Sequence, residues 1–216
     1  MEQNITGLDE LLAGYAAGTL AAPAHALVGA HLEMTHRNHG YVASLEALAG
    51  QALEDTEPVA LSDRETALNS IFDDQTILIE PVAESAEAGA AAPPSSLRSI
   101  VGKSMEELPW KSLLPGVREC KFGEIDGCNV SLLWVRGGRA MPSHTHHGTE
   151  LTLVLKGGFS DADGHYARGD IAFADDNVDH RPIADEGEDC ICFAVTEGRL
   201  QLTGIVGRFI APFVRT

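Results

Sequence analysis

The stretch SHTHHGTE, residues 143–150, sets three histidines and a glutamate within eight residues. His144 and His146 are two apart, a spacing that sends both side chains to one face of a strand. Glu150 reaches the same point if the chain bends at Gly148 and Thr149. Imidazoles and a carboxylate together suit a divalent transition ion. A fourth donor must come from a neighbouring strand. His180 is placed for it, beyond the turn that Gly169 and Asp170 close after DADGHYARGD. The candidate ligands are therefore His144, His146, Glu150 and His180. Such a set accommodates zinc, manganese, iron or nickel, and an open coordination position would allow catalysis. No nucleophile, oxyanion motif or phosphate-binding loop accompanies it. His147 falls on the opposite face from His146. His165 lies in a predicted hairpin turn, exposed to solvent.

Two kinds of element must position these residues. From about residue 97 the apolar period is two: NVSLLWVR, ELTLVLKG, GDIAFAD, DCICFAV and RLQLTGI read as short strands separated by Gly/Asp turns. That is the pattern of an antiparallel barrel or sandwich. Before it the period is helical. Leu8, Leu11, Leu12 and Tyr15 share one face of a first helix that Gly18 ends. Pro23 opens a second helix running to about Met34, with Leu27, Val28 and His31 on related faces. A third, about 38–53, carries Val42, Leu45, Leu48, Ala49 and Ala52. A fourth opens with Ser62 and Glu65 in capping-box spacing and carries Leu68, Ile71 and Phe72. Between the halves, EPVAESAEAGAAAPPSS has the composition of a flexible linker. The fold class is α+β: a helical bundle over 1–79, a linker over 80–96, and an antiparallel β-barrel over 97–216.

Charge narrows the partners. The net charge of −17 argues against direct nucleic-acid binding. Residues 1–97 hold 15 acidic residues against only Arg37 and Arg64, a net of −13. Acidity concentrated in one half serves solubility or complements a basic partner protein. No apolar run approaches the roughly 18 residues of a membrane span. MEQNITGLDE lacks the basic and apolar regions of a secretion signal, so the sequence points to the cytoplasm. Cys120, Cys128, Cys190 and Cys192 form no CxxC pair and read as buried thiols. Cys190 and Cys192 share a strand face, where a disulfide is poorly placed. Exposed edge strands would allow the barrel to pair with a second copy.

The second half resembles the cupin family. Gly138, His144, His146, Glu150 and Gly157 meet every spacing of the first cupin motif. Gly169 and His180 fit the second, in which Asp175 stands for Pro, Asn177 for Gly and Ala184 for Asn. Asn tolerates the positive φ of a glycine position. Together, the halves resemble ChrR-type anti-sigma factors, through DELLAGYAAGTL and ALVGAHLEMTHRN followed by the cupin. The resemblance implies a helical half that binds an extracytoplasmic-function sigma factor, and a cupin that holds a metal, zinc foremost, and senses oxidants. It also implies a zinc motif in the helical half: His, three residues, Cys, two residues, Cys, plus an earlier His. Here His31 is present, but Thr35, Asn38 and Thr6 stand at the other positions. His31 alone reads as a packed or hydrogen-bonded core residue. His36 and His39 lie nearby, at a spacing that does not bring them to one point with His31. Two other functions fit the cupin alone: a small metal-dependent oxygenase, or a binder of a metal or small molecule without catalysis. Retention of the helical half favours the regulator over an enzyme.

Overall fold

The structure is a computed structural model that describes residues 5–60, 62–73, 92–102, 104–105, 107–198 and 200–203. Most of the expected linker, 80–96, lies outside the described residues. Four helices come first: α1 (Ile5–Ala16), α2 (Ala22–Met34), α3 (His39–Glu54) and α4 (Arg64–Asp73). The first two stop and start where the sequence says. After α1, Gly18 and Thr19 donate back to the carbonyls of Tyr15 and Gly14, both at 3.0 Å, the paired closure that ends many helices. Pro23 sits in the first turn of α2. The cap of α4 differs by one residue from the expected Ser62: Asp63 Oδ1 accepts from the Thr66 amide at 3.0 Å, and Asp63 Oδ2 from the Thr66 hydroxyl. Asp outcompetes Ser here because its two oxygens serve both donors.

A short 3-10 turn (Ser95–Leu97) and α5 (Arg98–Val101) lead into the second half. Eleven strands follow: β1 (Lys111–Leu114), β2 (Val117–Ile125), β3 (Cys128–Val135), β4 (His144–His146), β5 (Glu150–Lys156), β6 (Gly158–Ser160), β7 (His165–Ala167), β8 (Ile171–Ala174), β9 (Ile183–Ala184), β10 (Cys190–Thr196) and β11 (Leu200–Leu202). Six form one antiparallel sheet in the order β1-β2-β3-β10-β5-β8. A three-stranded sheet, β7-β6-β9, and the pair β11-β4 complete a jelly roll. The expected barrel is thus built from separate sheets, with no continuous closed ladder among the described strands. His165 begins β7, opposite Ser160, and not a turn. It remains exposed and reaches Asp185 Oδ2 at 2.8 Å.

The large sheet is apolar on both faces, and each face has its own partner. Along β10, Phe193 and Val195 point one way, while Cys190 and Cys192 point the other. The second set joins Val117, Val154, Phe159 and Tyr166 in the interior of the jelly roll. The first set meets Leu11, Leu12, Leu27 and Val28 of α1 and α2. The helical half and the sheet therefore share one core. Burying residues such as Leu27 and Val28 contributes roughly 1.5–3 kcal/mol each. The helices α3 and α4 are different. Only Val42 of α3 is buried, and nothing in α4 is. Of the apolar stripes read on these helices, Leu48, Ile71 and Phe72 lie in solvent, as does Leu53 beside them in α3. All four cysteines are buried free thiols, with Cys190 and Cys192 Sγ atoms 3.5 Å apart. No helix among the described residues is long and apolar enough to cross a membrane.

Candidate metal centre

The four predicted ligands meet inside the jelly roll. His144 and His146 occupy both ends of β4, buried on one face, while Thr145 between them is half-buried. Gly148 makes the bend to β5 at φ +97°, where a Cβ would lie 2.8 Å from the Glu197 carbonyl. Only glycine combines that φ with that approach. The bend delivers Glu150 as the first residue of β5. His180 arrives by a bridge to His144, with reciprocal backbone hydrogen bonds of 3.1 and 3.0 Å. One donor atom from each of the four residues lies within 4.8 Å of all the others, and all four residues are buried. His147 is exposed, as its register requires.

The outer nitrogens define what the inner ones offer. His144 Nδ1 lies 2.8 Å from the Pro142 carbonyl, which only accepts, so Nδ1 carries hydrogen. His180 Nδ1 lies 3.2 Å from Asp161 Oδ2. With both outer positions protonated, the two Nε2 atoms face inward, only 3.0 Å apart. At that distance a protonated His180 donates to His144, and once His180 is neutral both nitrogens offer lone pairs to a metal ion. His146 makes the same point differently. It is 1% exposed, and neither ring nitrogen has a hydrogen-bond partner, although Glu150 Oε2 approaches Nε2 to 2.9 Å. A buried imidazole without partners is costly, and a metal ion resolves that cost.

The charge balance also favours a cation. Burial raises the Glu150 pKa, but His146 and His180 against it outweigh burial and hold it at about 2. Burial lowers His180, but the Asp161 and Glu150 carboxylates outweigh that and push it up to about 9. Burial lowers His144. The pocket thus stabilises one positive charge among its carboxylates. Three imidazoles and one carboxylate fit a divalent transition metal.

Asp161 is the partner of the cluster that spacing did not reveal. It sits 19 residues before His180, in a turn that it stabilises by accepting from the Asp163 and Gly164 amides. A carboxylate behind a metal-binding histidine fixes the ring and raises its basicity. Asp161→Asn is expected to weaken metal binding by about 10–100-fold, measured by competition with a fluorescent chelator. An unchanged affinity would separate Asp161 from the site. The second-motif departures also have local explanations. Asn177 does not take the positive φ expected of it. Asp175 Oδ1 instead accepts the Asn177 amide at 2.9 Å and shapes the turn before His180.

Comparison with known proteins agrees with this architecture. Residues 99–200 match the family model described as the ChrR cupin-like domain. The curated anti-sigma-E factor ChrR of Cereibacter sphaeroides is 37% identical over 207 residues, 96% of each chain. The chain belongs to the ChrR family of anti-sigma factors. A crystal structure of Rhodobacter sphaeroides SigE in complex with the anti-sigma ChrR contains a similar chain, 38% identical with a TM-score of 0.72. That match covers 87% of this chain and 96% of the other. Membership of the ChrR family spans both halves, so the helical half is part of the family design and not an appendage to a cupin. Among the described residues, the cupin cluster is the only group of three or more His, Cys, Asp or Glu that could hold a metal. The helical positions His31, Thr35 and Asn38 do not form one. Thr6 belongs to α1, but its side chain lies outside the described placements.

Proposed function

We propose that this chain binds an extracytoplasmic-function sigma factor through α3 and α4, and that its cupin holds one divalent metal, zinc foremost, as an oxidant-sensing centre. The exposure of Leu48, Leu53, Ile71 and Phe72 on α3 and α4 carries the reading. The faces of α1 and α2 are already committed to the sheet, whereas these side chains have no apolar cover. Large exposed apolar groups on a folded chain mark interaction sites. The surrounding sequence is acidic, and the sigma surfaces that contact DNA and polymerase are basic. The proposed metal ligands are His144, His146, Glu150 and His180. A signal at this centre releases sigma only if it favours a state in which the helices bind sigma less well.

Purified chain and a candidate sigma factor of this class are expected to co-elute at one to one in size-exclusion chromatography. Failure with the sigma factors of the same cell would remove the partner assignment. Replacing His144 and Glu150 together by alanine is expected to spare sigma binding and abolish oxidant-triggered release. Loss of binding in this double variant would make the cupin a structural support, not a sensor.

A further inference from the structure

The C-terminal end of α2 meets the cupin at the turn between β7 and β8, and the contact is unusually polar for a shared core. His31 is 2% exposed. Its Nδ1 donates to the Gly169 carbonyl at 2.6 Å. That fixes the tautomer and leaves the Nε2 lone pair to accept from Asn38 Nδ2 at 3.0 Å. Burial keeps the ring neutral by lowering its pKa, as this pattern requires. Thr35 turns its hydroxyl back to the His31 carbonyl, 3.0 Å away. Its methyl faces Gly169, where a Cβ would lie 2.5 Å from Thr35 Cγ2. Arg37 pairs with Asp170, whose other oxygen accepts the Ala167 amide at 2.8 Å.

These contacts leave no ligand for a metal at this place. Both nitrogens of His31 are engaged, the Asn38 amide fills the space in front of Nε2, and Thr35 is turned into its own helix. Thr and Asn side chains are also poor zinc ligands beside thiolate. His39 does not substitute. Its Nε2 contacts the Leu32 and Thr35 carbonyls at 2.8 and 3.0 Å, at the end of α2. The zinc motif that the family resemblance implies for the helical half therefore does not fit the residues present.

The cupin side of the contact is rigid and leads toward the metal centre. The Gly169 amide donates to the Val154 carbonyl, and the Val154 amide donates to the Asp170 carbonyl, at 2.8 and 3.0 Å. Val154 lies on β5, the strand that begins with Glu150. From Asp170 the chain runs directly into β8, whose last residue, Ala174, is the register partner of Glu150. One short strand thus separates the contact from a proposed metal ligand.

We infer that His31, Asn38, Thr35 and Arg37 form a metal-free joint that clamps the helical half to the Gly169–Asp170 turn, in place of a helical zinc site. The joint stands whether or not the partner is a sigma factor. It makes the helical half depend on the cupin turn for an anchor that a metal-bearing relative would hold within its helices. Movement of β5 or β8 at the metal centre then reaches α2 through hydrogen bonds.

Two measurements on the full chain test this. First, metal content is compared between the parent, the His144→Ala/His180→Ala variant and an Asn38→Gly variant. Glycine is chosen because Asn38 has φ +67°, so the side chain is removed without strain. No metal on the cupin-ligand variant, and unchanged metal on Asn38→Gly, are the expected results. A metal retained by the cupin-ligand variant and lost when His31→Ala is added would overturn the inference. A parent without metal would remove the cupin centre, while the joint would still be decided by the second measurement. In that measurement, hydrogen exchange is followed in Asn38→Gly and Gly169→Ala. Both are expected to speed exchange about tenfold in two segments together, 28–35 and 170–174, as a shared local opening unit does. Adding Thr35→Ser to Gly169→Ala removes the opposing methyl and is expected to restore part of the protection, while the strain of alanine at φ +89° remains. Faster exchange confined to one segment in Asn38→Gly would show that the two sides do not act as a joint.

Discussion

His146→Leu is expected to destabilise the metal-loaded protein by several kcal/mol and to change the stability of the metal-stripped protein much less. The difference between the two arms has two sources. With a metal bound at a thousand times its dissociation constant, the native state gains about 4 kcal/mol from binding alone. Losing a ligand forfeits most of that gain. Without the metal, His146 is a buried imidazole whose Nε2 faces only Glu150 Oε2 at 2.9 Å and whose Nδ1 has no hydrogen-bond partner. Leucine, of similar bulk, removes the roughly 1–3 kcal/mol cost of an unpaired nitrogen but also removes the partner that helps hold the buried Glu150 carboxylate ionised, so the two effects offset. Urea denaturation of parent and variant, with excess zinc and with chelator, reads both arms. Metal per chain should fall from about one to near zero in the variant, because the remaining three ligands include the histidine pair and Glu150 but lose the donor closest to the carboxylate. If the variant is destabilised equally in both conditions, His146 is a packing residue and the cluster is not a metal centre.

The cluster of four residues was legible because its geometry is local. Alternation on a strand puts His144 beside His146, and a bend at Gly148 returns Glu150 to them. His180 was accessible through motif spacing. What surrounds the ligands was less so. Asp161 meets His180 across a turn, and no periodicity links a hydrogen-bonding carboxylate to a histidine 19 residues on. The helices show the same division. Their boundaries follow from Pro23, Gly18 and the apolar period, but the period only says that a helix has an apolar face. It does not say what covers that face. Leu27 and Leu48 are alike in pattern, yet Leu27 is fully buried against the sheet and Leu48 is 65% exposed. Sheet contact decides the difference: α1 and α2 pack against the large sheet, and of α3 only Val42 joins that core. His31 was readable as a hydrogen-bonded core residue, but its acceptor, Gly169, lies 138 residues away and belongs to the other half. The position of Asn38 read as a missing ligand, whereas in space it is the group that satisfies His31.

Phe72→Ala combined with Leu53→Ala is expected to weaken sigma binding by about 100-fold or more while leaving unfolding unchanged within roughly 0.5 kcal/mol. Phe72 is 79% exposed and Leu53 73% exposed, so neither contributes packing that unfolding would register. In a complex, aromatic and aliphatic anchors that become fully covered are the residues whose truncation costs about 2–4 kcal/mol each. The acidic side chains on the same helices act differently. Glu46 and Glu54 on α3, with Asp73 at the end of α4, steer a basic partner, so neutralising them should slow association and flatten its salt dependence with little change in dissociation. Surface plasmon resonance at two ionic strengths separates these effects: the apolar variant changes the off-rate, the charge variant the on-rate. An apolar variant that binds like the parent would move the docking face to α1 and α2. Those helices bury Leu12, Leu27 and Val28 against the sheet, so sigma would have to lift them from the cupin to bind. Binding would then expose the outer sheet face around Phe193 and Val195, which faster hydrogen exchange in β10 upon sigma binding would report.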